Sequence, residues 1–172
     1  MTSQMMVDLL PVGEDVLEDL LAVAVTEAQP GEVMPPAAGE SATEARTAWT
    51  EPRKGAFREY HRRCRVSLDA PVPEVTWAVT AGGRVVGAAR LALVDGDPGA
   101  REVGLWLGRS SRGQGIAGEV AYWALAAART MAAERLVARS APGNVTARRS
   151  LQRIGFELVE QDGVLIGTIA VP

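Results

Sequence analysis

The chain has 172 residues, a formal net charge of −3 and 47% apolar residues. That length suits one domain that buries roughly 70% of its unfolded surface and needs no staples. The charge balance speaks against global nucleic-acid binding, the single cysteine (Cys64) excludes an intrachain disulfide and fits a reducing compartment, and no run of about 18 apolar residues offers a membrane span.

Met1 to Met6 lacks the basic segment and apolar core of a secretion signal, so the cytoplasm is the expected compartment. Val7 to Val12 reads as a first strand and Gly13 to Ala28 as a helix, with Val16, Leu17, Leu20, Leu21, Ala24 and Val25 on one face. Glu14 and Asp15 suit its positive end, and Pro30-Gly31 stops it. Glu32 to Pro73 is irregular, with helical patterning at Ser41 to Trp49 and Lys54 to Val66 and Pro52 between them. Its basic run from Arg53 to Arg65 is expected to be a solvated helix face, the alternative being a surface for an acidic acceptor. His61, the only histidine, falls in this run and is expected to be solvated.

Val75 to Thr80 and Arg84 to Val94 form a hairpin across Gly82-Gly83. Asp95 to Gly99 reads as a turn, and Arg101 to Leu107 as the next strand. A glycine run precedes a helix over Gly115 to Met131. Arg135 to Ser140 is a strand, and Asn144 to Ile154 a helix capped by Asn144 and ended by Gly155. Glu157 to Gln161 and Val164 to Ala170 make a last hairpin across Asp162-Gly163. Strands first run as an antiparallel meander and then alternate with helices, which makes the fold α+β: one mixed, mostly antiparallel sheet with helices on both faces.

The run Arg112-Gly113-Gln114-Gly115-Ile116-Ala117-Gly118 carries the functional signal, because glycines at the mouth of a helix let backbone N–H groups close around a phosphate. A dinucleotide fingerprint is rejected: Gly108 to Arg112 separate the first glycine from the strand, and Glu134 precedes the next strand rather than closing it. A nucleoside-triphosphate loop is rejected because Glu119 and Val120 stand where Lys and Ser or Thr are needed. The pattern starting at the arginine, Arg112-x-x-Gly115-x-Ala117, resembles the acyl-CoA loop of the GNAT superfamily of N-acetyltransferases. The order of elements around it, from the strand Glu102–Leu107 to the Ala-rich helix, is similar as well. Asn144 to Phe156 and the opening Leu9 to Asp15 resemble the branch that modifies ribosomal-protein N-termini (the RimJ and RimL type). Ala147 departs from that branch's serine, and Leu151 stands where many members carry a tyrosine acid.

The resemblance implies a single acetyltransferase domain over residues 1–172, acetyl-CoA as co-substrate, and direct transfer to an amine, either a protein N-terminus or a small molecule. The alternative is a catalytically silent acyl-CoA-binding sensor. The CoA contacts it implies are the backbone of Leu105, Trp106 and Leu107, the loop residues Arg112, Gly113, Gln114, Gly115, Ile116 and Ala117, and the side chains of Asn144 and Arg149. Asn144 reads equally as a plain helix cap, and Arg149 as part of a solvated face. Glu102 is the candidate base, acting through a water, or else a carboxylate paired to Arg90 or Arg101. The N–H near Leu105 is the candidate oxyanion donor, re-aimed by a bulge at Gly104. Residues 32–73 are expected to choose the acceptor, with Trp49, Phe57 and Tyr60 as candidate contacts, while Phe57, Tyr60 and Cys64, at i, i+3 and i+7, read equally as packing inward. No metal site, membrane partner or direct nucleic-acid partner is expected, and a homodimer is compatible with this reading.

Overall fold

The computed structural model describes residues 5–34, 39–41, 43–65 and 74–172. In chain order these form β1 (Val7–Pro11), α1 (Glu14–Glu27), α2 (Pro30–Val33), α3 (Glu44–Thr47), α4 (Glu51–Arg63), β2 (Glu74–Ala81), β3 (Arg84–Val94), β4 (Asp97–Leu107), a 3₁₀ turn (Arg109–Ser111), α5 (Ile116–Thr130), β5 (Arg135–Ser140), α6 (Val145–Ile154), β6 (Glu157–Gln161) and β7 (Val164–Ala170). The strands make one sheet in the order β1-β2-β3-β4-β5-β7-β6. β4 and β5 run parallel, whereas β1–β2, β5–β7 and β6–β7 are antiparallel. A parallel neighbour requires a crossover, and α5 supplies it. The chain divides into two compact units, Met1–Ala89 with Leu105–Ile116, and Arg90–Gly104 with Ala117–Pro172.

In the first unit, Leu17, Leu20, Leu21 and Ala24 of α1 are buried at helical spacing, in a core shared with Val12, Phe57, Ala78, Ala88 and Trp106. Several helical expectations shift here. Pro52 does not lie between two helices: it lies in the first turn of α4, which starts at Glu51 and not Lys54, where a missing N–H costs nothing, and Thr50 caps the helix by accepting from Arg53 N at 3.3 Å. Pro30 stops α1 as expected but also starts α2, a single turn closed by a reciprocal cap between Gln29 and Glu32. The helix expected over Ser41 to Trp49 contracts to the four residues of α3, and Val66, the expected end of α4, lies outside the described residues.

The basic run does present a solvated face, with Arg62 and Arg63 exposed, and several of its charges are paired. Arg58 pairs with Glu18 at 2.6 Å and Arg62 with Glu14 at 3.0 Å, and Arg65 also reaches Glu14. The acidic side of α1 thus answers the basic side of α4. Lys54 donates to Glu51 at 2.7 Å. Arg53 is fully buried and pairs with Glu40, while its guanidinium donates to the carbonyls of Pro30 at 3.2 Å and Met34 at 2.8 Å. His61 is also a correction, being 2% exposed rather than solvated. Its Nδ1 lies 3.0 Å from the Thr76 hydroxyl, its ring packs on Phe57 and Tyr60, and burial pushes its pKa down to about 4.

In the second unit, β4 and β5 pair from Ala100↔Arg135 to Val103↔Ala138. β4 begins at Asp97, so Pro98 and Gly99 belong to the strand and not to the expected turn. Proline withholds only a donor, and the acceptors are used: Arg101 donates to the Pro98 carbonyl at 2.9 Å and Glu134 N–H to the Gly99 carbonyl at 2.8 Å. α6 opens with Asn144 Oδ1 accepting from Ala147 N–H at 3.0 Å and closes at Gly155 with φ +106°. Among the described residues, no helix is long and apolar enough to cross a membrane.

Candidate functional site

β4 ends among close backbone contacts. A Cβ at Gly87 would collide with the Trp106 carbonyl oxygen and fall 3.0 Å from Leu107 Cα, so only glycine admits this approach. Gly108 N–H donates to the Val86 carbonyl at 2.8 Å, and β4 gives way to the 3₁₀ turn. Trp106 and Leu107 are each 9% exposed, and Trp106 packs in the core with α1. Their side chains are therefore spent on packing, leaving only the backbone for any ligand. Leu105 is 37% exposed.

The loop after the 3₁₀ turn takes its shape from two glycines. Gly113 has φ +75° and Gly115 has φ +83°, whereas Gln114 between them is not left-handed. Left-handed residues in such a loop let backbone N–H groups turn toward one side, as a nest for an anion requires. A Cβ at either glycine would meet no protein atom within 4 Å. Backbone conformation, and not crowding by the protein, is what selects glycine at both positions. α5 starts directly at Ile116, which is buried, and its first N–H groups have no helical acceptors. A run of donors at the positive end of a 15-residue helix is suited to a phosphate group.

Arg112 has a different task from the one its place in the pattern suggests. Its Nε donates to the Leu107 carbonyl at 2.9 Å, and its guanidinium pairs with Glu32 at 3.2 Å. Gln114 donates through its side-chain amide to the Ser110 carbonyl at 2.7 Å. Glu27 accepts from Ser110 N–H at 2.9 Å and from its hydroxyl at 2.5 Å. Those bonds, the hydroxyl's foremost, lower the Glu27 pKa. Glu27 and Glu32 escaped the sequence reading because 83 and 80 residues separate them from their partners, and no local pattern carries such a pairing.

In the second unit, Glu102 is bound by two guanidiniums, Arg90 on one carboxylate oxygen and Arg139 on the other. Arg101, the other partner expected, turns to backbone carbonyls instead. A Cβ at Gly104 would lie 2.7 Å from Arg90 Nε, so this arginine lies over the glycine and explains it sterically. Asn144 acts as a cap, and Arg149 is exposed, whereas Arg148 pairs with Glu160.

Of the candidate acceptor contacts, Phe57 is fully buried in the first unit's core and presents no surface to a ligand. Trp49 packs edge-on against it at 5.9 Å and donates its indole N–H to the Ala28 carbonyl at 3.1 Å. Tyr60 is half-buried and hydrogen-bonds Glu74.

The profile of the family described as "Acetyltransferase (GNAT) domain" matches residues 14–157. The fold is shared with solved structures of low identity. One is RimL, a ribosomal L7/L12 alpha-N-protein acetyltransferase in complex with coenzyme A; it is 16% identical, covers 99% of this chain and 97% of its own, and has a TM-score of 0.71. A second is Mycobacterium smegmatis RimJ in complex with CoA-disulfide, at 19% identity, 95% and 81% coverage and a TM-score of 0.65. A third is an N-acetyltransferase from Staphylococcus aureus Mu50, at 17% identity, 99% and 100% coverage and a TM-score of 0.66. No curated protein sequence matches this chain.

Proposed function

Because this chain belongs to the GNAT family of acetyltransferases, and is thus an acetyl-CoA-dependent acyltransferase, we propose that it carries an acetyl group directly from acetyl-CoA to a primary amine, with a protein N-terminus as the favoured acceptor. The observation that carries this reading is the pair of left-handed glycines, Gly113 and Gly115, feeding straight into α5. Amide hydrogens gathered there offset the charge of the CoA diphosphate. Arg112 to Ala117 supply this grip through the main chain, and the end of β4, Leu105 to Leu107, offers its backbone to the pantetheine arm. Asn144 and Arg149 are assigned a supporting part from α6.

In the reaction the amine nitrogen attacks the thioester carbonyl, a C–N bond forms, the C–S bond breaks, and the amine's proton leaves as the thiolate departs. We assign stabilisation of the oxyanion to the N–H near Leu105. Glu102 is assigned the proton, through a water. An ionised carboxylate offers about four acceptor positions, so the bonds from Arg90 and Arg139 still leave room for that water. The acceptor preference rests on the resemblance of Asn144 to Phe156 to the N-terminal branch and on the shared fold with RimL and RimJ, whose names state that specificity for RimL itself.

The test is a pair of measurements. Thermal unfolding with CoA, NAD and NADP identifies the ligand: CoA at 100 times its dissociation constant adds about 2.7 kcal/mol, and the dinucleotides add nothing. Free thiol is then followed with acetyl-CoA and a panel of peptides with free N-termini, polyamines and amino sugars. Thiol release with peptides alone supports the proposal, and release with small amines alone moves the acceptor class. CoA binding without release on any amine overturns catalysis in favour of an acyl-CoA sensor.

A further inference from the structure

Two glutamates outside the glycine run hold its shape. Glu27, the last residue of α1, takes both the N–H and the hydroxyl of Ser110 on one oxygen. The fit is close, since a Cβ at Gly108 would lie 2.9 Å from that oxygen and 3.1 Å from Val23 Cγ1. Ser110 in turn accepts the Gln114 amide, so the chain of bonds passes from α1 through the 3₁₀ turn into the residue between the two left-handed glycines. Glu32 in α2 accepts from Gln29 N–H at 3.0 Å and from Arg112, whose other contact is the Leu107 carbonyl at the end of β4. Burial alone would raise the Glu32 pKa, but the Gln29 N–H and the Arg112 guanidinium outweigh it and lower it. Both glutamates are therefore held as carboxylates, and both ends of the loop are tied to helices that precede it by some 80 residues.

Charge alone makes this placement unexpected. A carboxylate beside a diphosphate site repels the ligand, and the one guanidinium in the loop's pattern is turned toward Glu32. We propose that Glu27 and Glu32 are positioning residues for acetyl-CoA: they act through Ser110 and Arg112 to hold the loop's amides in the conformation that binds the diphosphate. This rests on the CoA reading above. The geometric benefit outweighs the repulsion because a preformed nest spares the ligand the cost of ordering the loop. Arg112 on this account is a strut across the loop, and its positive charge is spent on Glu32.

The two effects predict opposite signs. If charge governs, Glu27→Gln, Glu27→Ala and Glu32→Ala tighten CoA binding; if positioning governs, they loosen it. The experiment is calorimetric titration with CoA, with KM for acetyl-CoA and kcat read at saturating acetyl-CoA, and the melting temperature of each variant. The expected result is a rise in Kd and KM of about tenfold for Glu27→Ala, the worth of one hydrogen bond to a charged group. Saturated kcat stays within about twofold. Glu27→Gln loses less, since its amide oxygen still accepts from Ser110. Gly108→Ala, which pushes the Glu27 carboxylate aside, behaves like Glu27→Ala. Should Glu27→Ala fail to fold, Ser110→Ala carries the test on the same criterion. Unchanged or tighter Kd in folded variants overturns the inference. Failure of the unaltered protein to bind CoA at all would sink the CoA reading first, and with it this one, so the two failures are distinguishable.

Discussion

The burial of His61 is expected to cost this protein a measurable part of its stability as pH falls below the ordinary histidine range. The residue is 2% exposed, and burial lowers its pKa from the ordinary 6.5 to about 4. Between those values the unfolded chain binds a proton that the folded one refuses. Stability is therefore complete above pH 6.5 and falls as pH drops toward 4. The full effect is about 3 kcal/mol at 1.36 kcal/mol per pH unit, and about 2 kcal/mol of it is lost by pH 5. Glu14, lowered to about 2 by hydrogen bonds first from Arg62 and then from Arg65, works in the other window: its contribution is present above 4.5 and lost as pH falls toward 2. Urea unfolding followed by tryptophan fluorescence at pH 7.5, 6.5, 5.5 and 5.0 isolates the histidine. His61→Gln is expected to be less stable at every pH because it disturbs the packing on Phe57, yet its stability should change little over this range. The decisive quantity is the difference in slope, about 2 kcal/mol between pH 7.5 and 5.0. Parallel curves for the two proteins would refute the claim that His61 is enclosed and neutral.

Two further outcomes concern the transfer reaction. Gly115→Ala places an L side chain at φ +83°, at a cost of roughly 1–2 kcal/mol, so KM for acetyl-CoA should rise about five- to thirtyfold, and Gly115→Val should do worse because β-branching tolerates that region least. An unchanged KM would remove this loop from CoA binding. Glu102→Gln is expected to lower kcat and alter its profile between about pH 6 and 9; an unaltered profile would strip Glu102 of the role of base and leave it as the link between Arg90 and Arg139.

What could be read in advance follows the range of the forces involved. The hairpin over Glu157–Ala170, the Asn144 cap and the Gly155 stop rest on neighbours within a few residues, and each is found where local chemistry places it. The loop glycines were legible for the same reason, and left-handed backbone is a second ground for them beside the close approach of a phosphate. Misreadings occur where a distant segment decides. His61 looked solvated because Thr76, which receives it, lies elsewhere in the chain, and the pairing of the basic face of α4 with the acids of α1 was hidden for the same reason. Phe57 could be read as packing inward or lining an acceptor pocket, and its place in the core with α1 decides for the former. Pro98 and Gly99 suggested a turn, whereas hydrogen bonds from Arg101 and Glu134 to their carbonyls keep them in a strand.

Lys54, joined to Glu51 on the first turn of α4, is the only lysine among the 18 basic residues. The guanidinium groups that make up the remainder do not serve as acyl acceptors at neutral pH, since they stay protonated. An enzyme kept in contact with a reactive thioester thus has almost no side-chain amine of its own to label. A mass increment found on any lysine other than Lys54 must sit on an added partner, so lysine acylation in an acceptor screen carries little background from the catalyst.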